Sequence, residues 1–107
     1  MPKVLTSESI SQYRQEGFFS PVQIMSARET SELRDQLEAF ETSQGHPIEG
    51  FQRAKTYLLF KWIDDLMRKP VLLDAVEDLI GENILCWNTA FWIKEANSPS
   101  YVGWHQD

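Results

Sequence analysis

At 107 residues the chain has room for one domain. A chain of that length buries only about 60–65% of the surface it exposes when unfolded, which gives one small core and no large closed barrel of its own. Hydrophobic residues at 42% and charged residues at 24% describe a globular protein rather than a disordered one. Sixteen acidic against ten basic residues, a formal charge of −6, argue against nucleic acid as a partner, because displacing counterions needs a basic face. The single cysteine, Cys86, leaves no internal disulfide framework and no multi-cysteine zinc site. Residues 1–22 are too polar for a signal-peptide core, and no apolar run approaches the roughly 18 residues of a membrane span. The default expectation is a cytoplasmic protein that engages no membrane.

The first 80 residues carry helical signals. A first helix is predicted over Ser7–Glu16, with Thr6 as its cap, Glu8 at the positive end of the dipole and Gly17 as a left-handed stop. Ile10, Tyr13 and Gly17 share its narrow face. Phe18, Phe19 and Pro21 begin a short extended link, with Val22 and Ile24 as anchors. The second helix is the best signalled: Ser26 and Glu29 form a capping box, and Leu33, Leu37 and Phe40 recur at helical spacing as a buried stripe. Glu32, Asp35 and Glu38 make the opposite, solvated face, and Gly45, His46 and Pro47 end it. Residues 45–56 read as a loop. A short amphipathic segment follows over Phe60–Lys69, with Ile63, Leu66 and Met67 inward and Asp64–Arg68 and Asp65–Lys69 as i,i+4 ion pairs. Pro70 suits the first position of a last helix, in which Leu72, Leu73, Val76, Leu79 and Ile80 form a broad apolar face and Gly81 is the stop.

From Ile84 the pattern changes. Residues 84–94 are dominated by aromatic and β-branched side chains and predict a strand. Residues 96–100 read as a turn and 101–107 as a second strand. On that second strand His105 and Asp107 fall on the same side, with Cα atoms about 6.6–7 Å apart, so an imidazole and a carboxylate can converge on one ion. These are two of the three groups of the facial triad that holds non-haem iron(II) with positions left open. The tripeptide by itself has a plain alternative, a surface histidine beside an unrelated aspartate, and chains of this composition produce it by chance. Asn88 and Ala90 share a face of the first strand; for Ala90 and Trp92 packing in the core is the favoured role. Trp87 and Trp104 either wall a pocket or, as aromatics more often do, fill a core.

Four passages in register resemble the phytanoyl-CoA dioxygenase family of iron(II)- and 2-oxoglutarate-dependent oxygenases. Tyr13-Arg14-Gln15-Glu16-Gly17-Phe18 with Pro21-Val22 is similar to the family's opening helix and strand. Asp78-Leu79-Ile80-Gly81-Glu82-Asn83-Ile84-Leu85 is similar to its entry into the first core strand. Phe91-Trp92-Ile93-Lys94-Glu95 and Trp104-His105-Gln106-Asp107 are similar to the two strands that follow, the second carrying metal. The resemblance implies an α+β fold. Residues 1–81 would be the mainly helical front, and 82–107 the first strands of a double-stranded β-helix, a jelly-roll or cupin-like barrel. It implies iron(II) held by His105 and Asp107, with 2-oxoglutarate and O2 as co-substrates and a small organic or acyl compound as substrate. An aspartate at 107, where related halogenases carry a small residue, implies hydroxylation.

By the same resemblance Lys55, within Arg53-Ala54-Lys55-Thr56-Tyr57-Leu58, contacts the 2-oxoglutarate carboxylate; a solvated loop lysine is the equal alternative. Asn88 and Ala90 would lie beside the co-substrate. The family's second histidine ligand and the arginine that clamps 2-oxoglutarate stand well downstream of this motif and are not among the 107 residues. His46, the only other histidine, sits in a loop unsuited to replace the former. The expectation is therefore the N-terminal fragment of a single dioxygenase domain, inactive in isolation. A different class of reading is a non-catalytic module that binds a protein partner through Trp62, Trp87 and Trp92. A metal shared across a homodimer would need a symmetric partner for the last strand, and none is evident.

Overall fold

A computed structural model of the chain describes residues 1–106. It contains four α-helices, α1 (Ser7–Glu16), α2 (Ala27–Gln44), α3 (Lys61–Met67) and α4 (Pro70–Ile80), with two 3₁₀ turns, Gly50–Arg53 and Thr56–Leu58, between α2 and α3. The helix ends are set by local chemistry. The Thr6 hydroxyl accepts from the Ser9 N–H, and Gly17, at φ 83°, closes α1 in the left-handed region. The capping box on α2 is complete in both directions: the Glu29 N–H donates to Ser26 Oγ at 3.2 Å and the Ser26 N–H to the Glu29 carboxylate at 2.8 Å. Pro70 opens α4, where its missing N–H costs nothing.

The core is small and aromatic. Ile48, Phe60 and Ile63 are its buried centre, with Leu37, Phe40, Tyr57, Trp62 and Phe91 packed around them. Phe40 and Phe60 meet edge to face at 4.8 Å between centroids, and Phe91 reaches the same cluster, 6.4 Å from Phe60 and 6.0 Å from Trp62. One charge pair departs from the sequence expectation. Asp64 pairs with Arg68 at 3.0 Å as predicted, but Asp65 pairs backward with Lys61 at 2.7 Å. Lys69 is thereby left to cross to Glu29 at the start of α2. That lysine, with the Ser26 backbone and hydroxyl behind it, holds the Glu29 carboxyl down at about 2. Ile80, expected on the buried face of α4, is largely exposed, while Ala75 is the buried residue of that helix.

The N-terminus is strapped to α4. The Asp78 carboxylate accepts from the backbone N–H groups of Lys3 (2.7 Å), Val4 (2.8 Å) and Leu5 (2.8 Å), and Leu5 is buried. Those donors, Leu5 foremost, pull the Asp78 carboxyl below its ordinary value. The Lys3 ammonium adds contacts to Glu77 and Asp74 at 2.8 and 3.3 Å.

The expected barrel strands are absent. Among the described residues the only β-pairing is a single antiparallel bridge between Ala54 and Ala90; the chain is helical, with no sheet. The composition of residues 84–94 suits a strand, yet a strand needs a partner for its backbone groups. Residues 53–57 lie alongside residues 88–91 only, and residues 101–106 form no ladder with either segment. The α+β jelly-roll assignment is therefore corrected to a helical fold followed by an unladdered tail.

Candidate functional site

The bridge joins two stretches that each hold candidate site residues, 53–57 and 88–91. The Phe91 N–H donates to the Arg53 carbonyl at 2.9 Å, and the Thr56 N–H to the Thr89 carbonyl at 3.1 Å. The side chains then lock the register. Asn88 Oδ1 accepts from the Lys55 N–H at 2.9 Å, Thr89 Oγ1 accepts from the Tyr57 N–H at 2.9 Å, and the Thr56 and Thr89 hydroxyls share a 2.8 Å hydrogen bond. Thr56, 2% exposed, is the most buried polar residue among those described, so these bonds satisfy groups that water cannot reach. Lys55, Asn88 and Ala90 thus meet at one place.

Lys55 stands at the junction of the two 3₁₀ turns with φ 50°, a left-handed conformation uncommon for a lysine. The hydrogen bond to Asn88 holds it there. Its side chain projects from the surface, as do those of Asn88 and Ala90. The core roles expected for Ala90 and Trp92 are not observed: Trp92 is 86% exposed, because only residues 89, 91 and 93 turn toward the helices. Trp87 and Trp104 are exposed as well, with no second layer over them, whereas Trp62 packs into the core.

Of the two expected metal ligands, His105 lies on the exposed tail and Asp107 lies outside the described residues. His105 Nδ1 is 2.9 Å from the Gly103 carbonyl oxygen. A carbonyl oxygen only accepts, so Nδ1 is the donor in that contact, as it is in histidines that ligate metals through Nε2. His46 is tied into its own loop, its Nδ1 2.9 Å from the Pro47 carbonyl oxygen and 3.3 Å from Gln44 Nε2. Among the described residues no three His, Cys, Asp or Glu side chains stand close enough to hold a metal ion together. An imidazole nitrogen suits iron(II) as one ligand of several, and among the described residues His105 is the one expected ligand present.

Comparisons with protein-family models, with curated proteins and with solved structures give no match to the chain. Among the described residues no helix is long and apolar enough to cross a membrane.

Nothing in linear spacing marks the Thr56–Thr89 lock. Two hydroxyls 33 residues apart have no spacing signature, and the only hint was a threonine in each of two segments otherwise rich in apolar side chains.

Proposed function

We propose that the chain belongs to a non-haem iron(II)- and 2-oxoglutarate-dependent hydroxylase of the phytanoyl-CoA dioxygenase type, to which it contributes His105 and Asp107 as two of the three iron ligands. The observation that carries this reading is Trp104-His105-Gln106-Asp107 itself, with His105 Nδ1 set against the Gly103 carbonyl. Bound iron(II), with 2-oxoglutarate and O2, would supply the oxidising power to hydroxylate an unactivated C–H bond of a small organic or acyl substrate. The chain's own residues bind and orient. Lys55 offers a point charge for a carboxylate of the co-substrate. Asn88 fixes the Lys55 backbone through Oδ1 and keeps its amide N–H groups as donors, while Ala90 leaves room beside them.

The test is an anaerobic NMR titration with cobalt(II) as a paramagnetic stand-in for iron(II). The reading expects shifts at the His105 ring and the amides of residues 103–107. Those shifts should weaken about tenfold or more in His105→Ala and in Asp107→Ala and persist in His46→Ala. A response centred on His46, or one indifferent to both ligand substitutions, would sink it.

A second reading has its own observation. Leu85, Trp87, Trp92, Tyr101, Val102 and Trp104 are all strongly exposed within 20 residues, which suits a non-catalytic module that binds another protein. It predicts no metal response at His105, and loss of partner binding in Trp87→Ser with Trp104→Ser.

A further inference from the structure

Six of the ten lysines and arginines are engaged with carboxylates: Lys3, Arg28, Arg34, Lys61, Arg68 and Lys69. Among the described residues the other four, Arg14, Arg53, Lys55 and Lys94, have no carboxylate within ion-pair distance, although the chain carries sixteen acids. Arg53 and Lys55 stand where residues 53–57 dock on the tail, and Lys94 lies just beyond that dock.

Two of them, Arg53 and Lys94, line one cleft of about 180 Å³ together with Trp92, Ile93, Ser100, Tyr101 and Val102, and none of the described acidic residues lines it. The cleft is built by the backbone. The bond from the Phe91 N–H to the Arg53 carbonyl places Arg53 beside the tail, and Arg53 Nε donates to the Ile48 carbonyl at 3.2 Å. That bond anchors the guanidinium by one edge and leaves its terminal N–H groups as donors. Side chains alternate along the tail: Phe91, Ile93 and Glu95 line the side against α2 and α3, and Trp92 and Lys94 are exposed. Glu95 lines that neighbouring pocket and not the cleft of Arg53 and Lys94. A turn follows, with the Ser98 N–H donating to the Glu95 carbonyl at 3.1 Å and Asn97 in the left-handed region at φ 61°. It brings Ser100 and Tyr101 back to the same cleft.

We propose that this cleft binds a small organic anion, a carboxylate or a phosphate monoester on a flat apolar body. Arg53 and Lys94 meet the anionic end, Ser100 and Tyr101 supply hydroxyls, and the Trp92 indole lies against the body. Two cations without acids on an otherwise acidic chain make a local positive field that selects anions. The volume falls below the 300 Å³ or so at which sites for drug-sized molecules begin, so the occupant is of single-ring size. The inference concerns residues outside the metal pattern and stands independently of the iron reading.

The experiment is a ¹⁵N NMR titration of the 107-residue chain, at low ionic strength, with benzoate, phenyl phosphate and neutral benzyl alcohol. At least one of the two anions is expected to shift the Trp92 indole N–H saturably and to bind at least tenfold more tightly than benzyl alcohol. The stronger of the two identifies the anion type. Lys94→Gln, on an exposed side chain, should weaken that anion about fivefold to tenfold, in line with loss of one charge-assisted hydrogen bond. Arg53→Gln should act likewise, with unchanged Ile48 and Thr56 resonances reporting an intact core. Lys55→Gln should change binding less than twofold, and His105→Ala not at all. Equal binding of benzyl alcohol, an unchanged affinity in Lys94→Gln, or shifts that follow Lys55 instead of Trp92 would each overturn the proposal.

Discussion

Residues 1–80 and residues 82–106 are both rich in apolar side chains, yet of the second group only Phe91 reaches the core cluster. The helices close their backbone hydrogen bonds within themselves, so a short segment such as α3 is complete once one stripe finds the Ile48–Phe60–Ile63 cluster. The tail cannot do this. It borrows partners from residues 53–57 at a few points, and beyond them its tryptophans face solvent. Local bonding makes structure from sequence alone, whereas non-local bonding makes it only where a partner is present.

That contrast is open to direct attack, and the core is where the effect should be largest. We predict that Phe60→Ala destabilises the chain by about 3–5 kcal/mol, read from the urea midpoint. Trp87→Ser, in the tail, should stay within about 0.5 kcal/mol of the parent. A large loss at Trp87 would mean that the tail is packed after all. Thr89→Val keeps the shape but leaves the Tyr57 N–H without its acceptor and the Thr56 hydroxyl without its partner. It should lose about 1–3 kcal/mol and raise hydrogen exchange at Tyr57 and Phe91 together. If exchange rises at Tyr57 alone, the docking is not cooperative.

The Glu29–Lys69 contact allows a subtler comparison within the helical part. The Glu29 carboxyl is held near 2 in the folded chain against an ordinary 4.5, so the unfolded chain binds the extra proton first. Stability from this group is present above about pH 4.5 and is lost as the pH falls through about 2. Asp78 adds the same sign below its own ordinary value of 3.8. Glu29→Gln should flatten the acid limb of a thermal-melt series between those limits, and Trp104→Ser should leave it unchanged. At Lys55 the sign of the effect depends on the replacement. Replacing it with glycine relieves the left-handed conformation and should stabilise by up to about 1 kcal/mol, whereas Lys55→Val should destabilise by about 1–2 kcal/mol.

What could be read in the sequence follows the same division. Thr6, Gly17, Ser26, Glu29 and Pro70 act on neighbours within four residues, and each does what its spacing says. Lys69 was misassigned because an i,i+4 partner and a partner 40 residues away carry the same charge, and only the packing of α3 on α2 chooses between them. The composition of residues 84–94 announced a strand without specifying what it would pair with, so a barrel was expected where one bridge formed. At the candidate site, Lys55, Asn88 and Ala90 were named one by one; their meeting rests on the Thr56–Thr89 contact, for which linear spacing holds no sign. Arg53 and Lys94 stood out only once the other cations had found their carboxylates.

The strap at the N-terminus also bears on biosynthesis. Lys3, Val4 and Leu5 find their acceptor on a residue more than 70 positions later. While the nascent chain leaves the ribosome, its first residues therefore have nowhere to dock until Asp78 has been made and α4 has emerged. At a translation rate of about 5–20 residues per second, that wait lasts on the order of several seconds. Chaperones have that interval in which to reach residues 3–5, and closure of the strap brings it to an end.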